Sequence, residues 1–161
     1  MSTTFAHSYP VVDLLRYTSS SKEDPVSEIV REASKHFEFP ATRQKRKETI
    51  DAVMDAYLRS HQAGMSETAT PISEFTYKET IDFLRRLPSS LPSPEVVVEP
   101  DGDLGLEWYV SNYWSFVVGF SGKGIVSYSG LFGRGRKTYG TEFVSESIPR
   151  AIVENIRRVF A

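Results

Sequence analysis

Apolar residues recur along this chain with two different periods, and the change of period divides it. From residue 24 to 87 they return every three or four positions, the spacing of a helix face. From 95 to 143 they alternate, the spacing of a strand. Glycine follows the same division: Gly64 comes first, and every other glycine lies between Gly102 and Gly140. Helices first, then short strands joined by tight turns, is the pattern this predicts.

Three helices are expected in the first part. Asp24-Pro25 supplies a cap and a first-turn proline ahead of Val26, Ile29, Val30, Ala33 and Phe37. A second helix carries Ile50, Val53, Met54, Tyr57 and Leu58 on one face and fades at His61 and Gly64. A third is announced by Thr76-Tyr-Lys-Glu79, a capping-box pattern, and continues through Ile81, Leu84 and Leu87 until Pro88 stops it. Residues 1–23 show no period and read as an irregular arm. Residues 88–94 hold three prolines and read as a stiff connector between the helical segment 24–87 and the remainder, 95–161.

Strands are expected at 95–99, 104–110, 114–120, 125–131 and 138–143. Pro100-Asp-Gly-Asp103 and Ser121-Gly-Lys-Gly124 have the composition of hairpin turns. Leu104, Leu106, Trp108 and Val110 should share one face, as should Trp114, Phe116, Val118 and Phe120. Ser147-Ile-Pro149 opens a last helix with Ile152, Val153, Ile156, Val159 and Phe160 in one stripe. Sheet and helix each have one face to hide, so the expected fold is α+β. A helical N-terminal segment precedes a five-stranded antiparallel meander covered by the C-terminal helix.

The run Phe83-Leu84, Leu87-Pro88, Leu91-Pro92, Pro94-Glu95-Val96, Pro100-Asp101-Gly102 and Leu106-Glu107-Trp108 resembles a widespread group of uncharacterised bacterial proteins. The likeness covers about the last half of the chain. It implies a bacterial or phage origin and brings no activity and no catalytic residue.

Composition narrows the chemistry. With no cysteine there is no disulfide, thiolate nucleophile or cysteine zinc site, and the net charge of −2 is spread evenly over both halves. No apolar run reaches the roughly 20 residues of a membrane span, and no secretory leader opens the chain, so a cytoplasmic protein is expected. Gly119-Phe-Ser-Gly-Lys-Gly124 fails as a phosphate loop, because Val117 replaces the first glycine and Gly124 the magnesium-binding hydroxyl. It also fails as a serine-hydrolase elbow, with Lys123 at the closing glycine and no histidine downstream. His7, His36 and His61 lack ligand spacing, and Asp101 and Asp103 read as turn formers, so neither a metal nor a cofactor is expected.

Three groups remain. Tyr109, Tyr113 and Trp114 surround one strand connection and form the expected partner-binding group. Arg43, Lys45, Arg46 and Lys47 open the second helix, where their charge opposes the helix dipole; with Arg134, Arg136 and Lys137 they are the candidate phosphate contacts. Leu131-Phe-Gly-Arg-Gly-Arg-Lys137 reads first as a hairpin turn, with Gly133 and Gly135 supplying positive φ. Glu107 and Glu142 are the one candidate carboxylate pair. No catalytic residue is assigned. The leading expectation is a non-catalytic interaction protein, an accessory, antitoxin-like or inhibitor subunit. Its partner is another protein chain or a second copy of itself. A nucleic-acid-binding module and an enzyme with sheet-borne carboxylates are the alternatives.

Overall fold

A five-stranded antiparallel sheet in the order β1-β2-β3-β4-β5 organises the structure, a computed structural model that describes residues 40–62, 69–144 and 146–161. The expected arm 1–23 and the helix from Asp24 to Phe37 lie outside the described residues. Helices α1 (Pro40–Ser60) and α2 (Glu74–Arg86) precede the strands β1 (Glu95–Val98), β2 (Leu104–Ser111), β3 (Trp114–Phe120), β4 (Ile125–Phe132) and β5 (Lys137–Phe143). Helix α3 (Arg150–Val159) closes the chain. The α+β meander covered by a C-terminal helix is thus present.

The register sorts the sheet residues into two faces. Leu104 opposes Phe120, Leu106 opposes Val118 and Trp108 opposes Phe116; β4 continues these rows with Val126, Tyr128 and Gly130. All but the partly buried Tyr128 are buried, and with Phe132 they make the inner face. Aromatic contacts knit it together. The Phe83 ring of α2 meets Phe120 edge-on at 5.0 Å, and Phe116 lies 6.2 Å from Trp108 and 6.5 Å from Phe132. Such offset and edge contacts add to the burial of area. Ile152, Ile156 and Val159 of α3 and Ile81, Phe83 and Leu84 of α2 cover this face. The Arg158 guanidinium sits 4.4 Å over the Phe132 ring, sealing one margin of the core with a cation–π contact.

Several local expectations are revised. Helix α2 starts at Glu74, capped by Ser73, whose Oγ accepts from the Thr76 amide at 3.0 Å. The expected box at Thr76–Glu79 lies inside the helix, where Thr76 and Thr80 are buried and Thr80 Oγ1 donates to the Thr76 carbonyl. Val110 leaves the inner face because the β2–β3 register shifts between Tyr109 and Ser111, a bulge that turns it to solvent. On α1, Val53 and Ala56 are buried, whereas Met54 and Leu58 are exposed. Phe160 falls beyond α3 and is exposed too.

Residues 88–94 are part of the core rather than a spacer. Leu91 is buried, the Pro92 carbonyl accepts from Trp108 Nε1 at 2.8 Å, and the Pro94 carbonyl accepts from Thr49 Oγ1 at 3.0 Å. Helices α1 and α2 share one cluster with the sheet, so the described residues belong to one compact unit.

Helix α3 touches β2, β3 and β4 through a narrow stripe, so its loss would uncover most of the inner face. Ile156→Ala removes a fully buried side chain and should cost about 2–5 kcal/mol. Chemical denaturation should show this as a lower midpoint at unchanged slope; an unmoved midpoint would show that Ile156 does not carry the packing.

Candidate functional site

The Gly-Lys turn between β3 and β4 presents the amides that an anion loop would use, and the protein fills it with its own carboxylate. Glu79 of α2 accepts from the Gly122 amide through Oε2 at 2.9 Å and from the Gly124 amide through Oε1 at 3.0 Å. Both glycines have positive φ, 72° and 74°, and their amides converge on the one carboxylate. A side chain at Gly122 would also strike the Thr76 amide, 2.6 Å from where its Cβ would stand. The turn is therefore a helix–hairpin clamp. The sequence marks Glu79 only as the acidic end of a capping box: its actual partners lie more than 40 residues away, and no local signal reports that.

At the other end of the sheet two of the expected groups converge. Tyr113 lies in the β2–β3 turn and Arg134 in the β4–β5 turn. The Gly133 amide donates to the Tyr113 carbonyl at 2.7 Å, and the Arg134 guanidinium lies 5.9 Å over the Tyr113 ring. Gly133 and Gly135 adopt φ of 81° and 78°, as the hairpin reading requires. Arg136 Nε donates to the Phe132 carbonyl at 3.0 Å and closes the same turn. Tyr109 is exposed, its hydroxyl donating to Asn112 Oδ1 at 2.7 Å. Trp114 differs from both: it is partly buried, packs on the core and meets Phe132 edge-on at 6.4 Å.

The other cations lie elsewhere. Arg43, Lys45, Arg46 and Lys47 are on the first turns of α1, which packs beside β1 at the opposite edge of the sheet from β5. Arg46 donates to the Pro88 carbonyl at 2.9 Å, and Lys47 pairs with Asp51 at 3.2 Å, so these two already serve the helix and its packing. The structure does not bring the two cation groups together.

Glu107 and Glu142 do not form a carboxylate pair. Glu107 is on the outer face, in the row that ends at Tyr139, while Glu142 opposes Val126 in an inner-face row, with β3 and β4 between their strands. The neighbour of Glu107 across the ladder is Glu95. Among the described residues no group of three His, Asp or Glu side chains is arranged to hold a metal, and no helix is long and apolar enough to cross a membrane. A cavity of about 10 Å³ beside Phe83, Phe143 and Ile148 has room for a single water and no more.

What remains open is the outer face. Its rows run Val97-Gly105-Gly119-Ser127-Thr141 and Glu95-Glu107-Val117-Ser129-Tyr139. Small residues floor the centre, and Tyr109, Ile125, Tyr139 and Phe143 stand around it, with Tyr139 84% and Phe143 75% exposed. Among the described residues no element covers this face. Tyr139 and Phe143 join Tyr109 among the exposed aromatic residues of this face. Both reach this face through the β4–β5 register, Tyr139 opposite Ser129 and Phe143 opposite Ile125, which the pattern of either strand alone does not report.

Comparison of the chain with protein-family models, curated proteins and solved structures finds no match.

Removing the clamp carboxylate should loosen the turn without unfolding the sheet. Glu79→Ala should cost about 1–3 kcal/mol, as expected for charge-assisted hydrogen bonds. Amide exchange at Gly122 and Gly124 should speed up by far more than exchange in β2, with Glu79→Gln intermediate. Unchanged exchange at both glycines would refute the clamp. A second outcome concerns Asp103, whose pKa is raised by desolvation and by the neighbouring Asp101, with Lys123 opposing. A carboxyl with a higher pKa folded than unfolded costs stability once ionised: the cost is complete above the folded pKa and gone below the unfolded one. Asp103→Asn should therefore raise the melting temperature at neutral pH, and the gain should vanish as the pH falls through the carboxylate range.

Proposed function

We propose that this chain is a non-catalytic protein-interaction module of bacterial or phage type, acting as an accessory, antitoxin-like or inhibitor subunit. The observation that carries this reading is the outer face, uncovered among the described residues, with Tyr109, Ile125, Tyr139 and Phe143 exposed above a floor of glycine and serine. Exposed apolar patches rimmed by polar groups mark association surfaces, and tyrosine supplies large contact area at low entropy cost. The bacterial or phage assignment rests on the resemblance over the last half of the chain alone.

A second reading, nucleic-acid binding, is favoured by one feature. The β4–β5 turn holds Arg134, Arg136 and Lys137 in solvent beside the exposed Tyr113 ring, a combination that grips backbone phosphate and stacks a base.

A photo-crosslinker at Tyr109 in the full chain, irradiated in bacterial extract, distinguishes the two readings. The interaction module should give discrete protein adducts of masses other than twice the chain's, competed by the native chain and stable to added salt. Adducts that disappear between about 50 and 200 mM salt and on nuclease treatment would favour the turn cations instead. No competed adduct of either kind would overturn both.

A further inference from the structure

The two edges of the sheet are finished differently. Strand β1 is four residues long and has α1 packed beside it, two common ways of blunting an edge. Strand β5 is seven residues long, contains no proline, keeps an unbroken register with β4 and touches no other described element. Its backbone bonds to β4 can be read from the ends of the ladder. The Phe132 amide donates to the Arg136 carbonyl and the Val144 amide to the Gly124 carbonyl, each at 2.9 Å. By antiparallel alternation Thr138, Gly140 and Glu142 also face β4, which leaves the N–H and C=O groups of Lys137, Tyr139, Thr141 and Phe143 pointing outward.

We infer that β5 is a pairing edge and that its partner is a second copy of this chain. The inference rests on the interaction-module reading and names that module's first partner. The choice of occupant comes from charge. In an antiparallel pairing with a two-fold axis through Tyr139, Lys137 faces Thr141 of the other copy and Tyr139 faces itself. The same register sets Arg136 opposite Glu142, and symmetry repeats that contact. Arg136 uses only Nε, on Phe132, and among the described residues neither it nor Glu142 makes an ion pair. Centring on Gly140 instead would put Lys137 beside Phe143 and Thr138 beside Glu142, with no charge matched. Both registers satisfy the outward backbone groups, and of the two it is the Tyr139-centred one that pairs the free charges. The most exposed aromatic residue then meets its own copy on the axis.

Sedimentation equilibrium of the full chain should give a dimer. Thr141→Pro removes one outward N–H and no bond to β4, so it should yield a folded monomer with native circular dichroism. Arg136→Glu and Glu142→Arg should each weaken the dimer at least about tenfold by setting like charges opposite each other, and the double reversal should restore it. A native chain that stays monomeric at about 100 μM overturns the proposal, as does a dimer indifferent to Thr141→Pro or a double reversal that fails to rescue. Tyr109→Asp, off the edge, should leave the dimer intact. A dimer with no competed crosslinks would defeat only the wider interaction reading, and a monomer that still gives them would defeat only this one.

Discussion

The apolar face of the sheet is the constraint from which the described structure follows. Trp108, Phe116, Phe120 and Phe132 are fully or almost fully buried, and no three-strand segment could hide them alone. Two helices from distant parts of the chain must land on the same surface. Hydrophobic burial has no direction of its own, so the angle and register of that landing need polar contacts that do.

Those contacts are few and well separated. Trp108 Nε1 on the Pro92 carbonyl ties the core tryptophan to the proline segment, and Thr49 on the Pro94 carbonyl ties α1 to the same segment. Glu79 on the amides of Gly122 and Gly124 ties α2 to a hairpin. Each satisfies a backbone or indole group that would be costly to leave without a partner. Together they explain why a glycine-rich turn with a phosphate-loop flavour has no role as one: its donors are already in use.

Much of the fold was legible because the strands alternate cleanly. Leu104, Leu106 and Trp108, and Phe116, Val118 and Phe120, identify the inner face without ambiguity. What was not legible is non-local. Thr76–Glu79 satisfies the capping pattern, but Ser73 three residues earlier competes for the same amide and wins. The bulge beside Val110 arises from the pairing of β2 with β3, not from either strand's own pattern. The meeting of Tyr113 with Arg134 depends on two hairpins ending at the same height, and the separation of Glu107 from Glu142 depends on register across four strands. Proline content suggested a spacer at 88–94. The carbonyls that proline leaves free became acceptors within the core instead.

The unequal edges of the sheet bear on how large an assembly can grow. Sheets with two open edges add strands without limit, which is the route to fibrils. Here one border is short and shielded by α1. Two copies joined along β5 would expose only such shielded borders, and a ten-stranded ribbon would have nowhere left to extend. In such a pair growth would be capped by geometry at a finite size, and a long strand that reads as an aggregation hazard in isolation would become self-terminating.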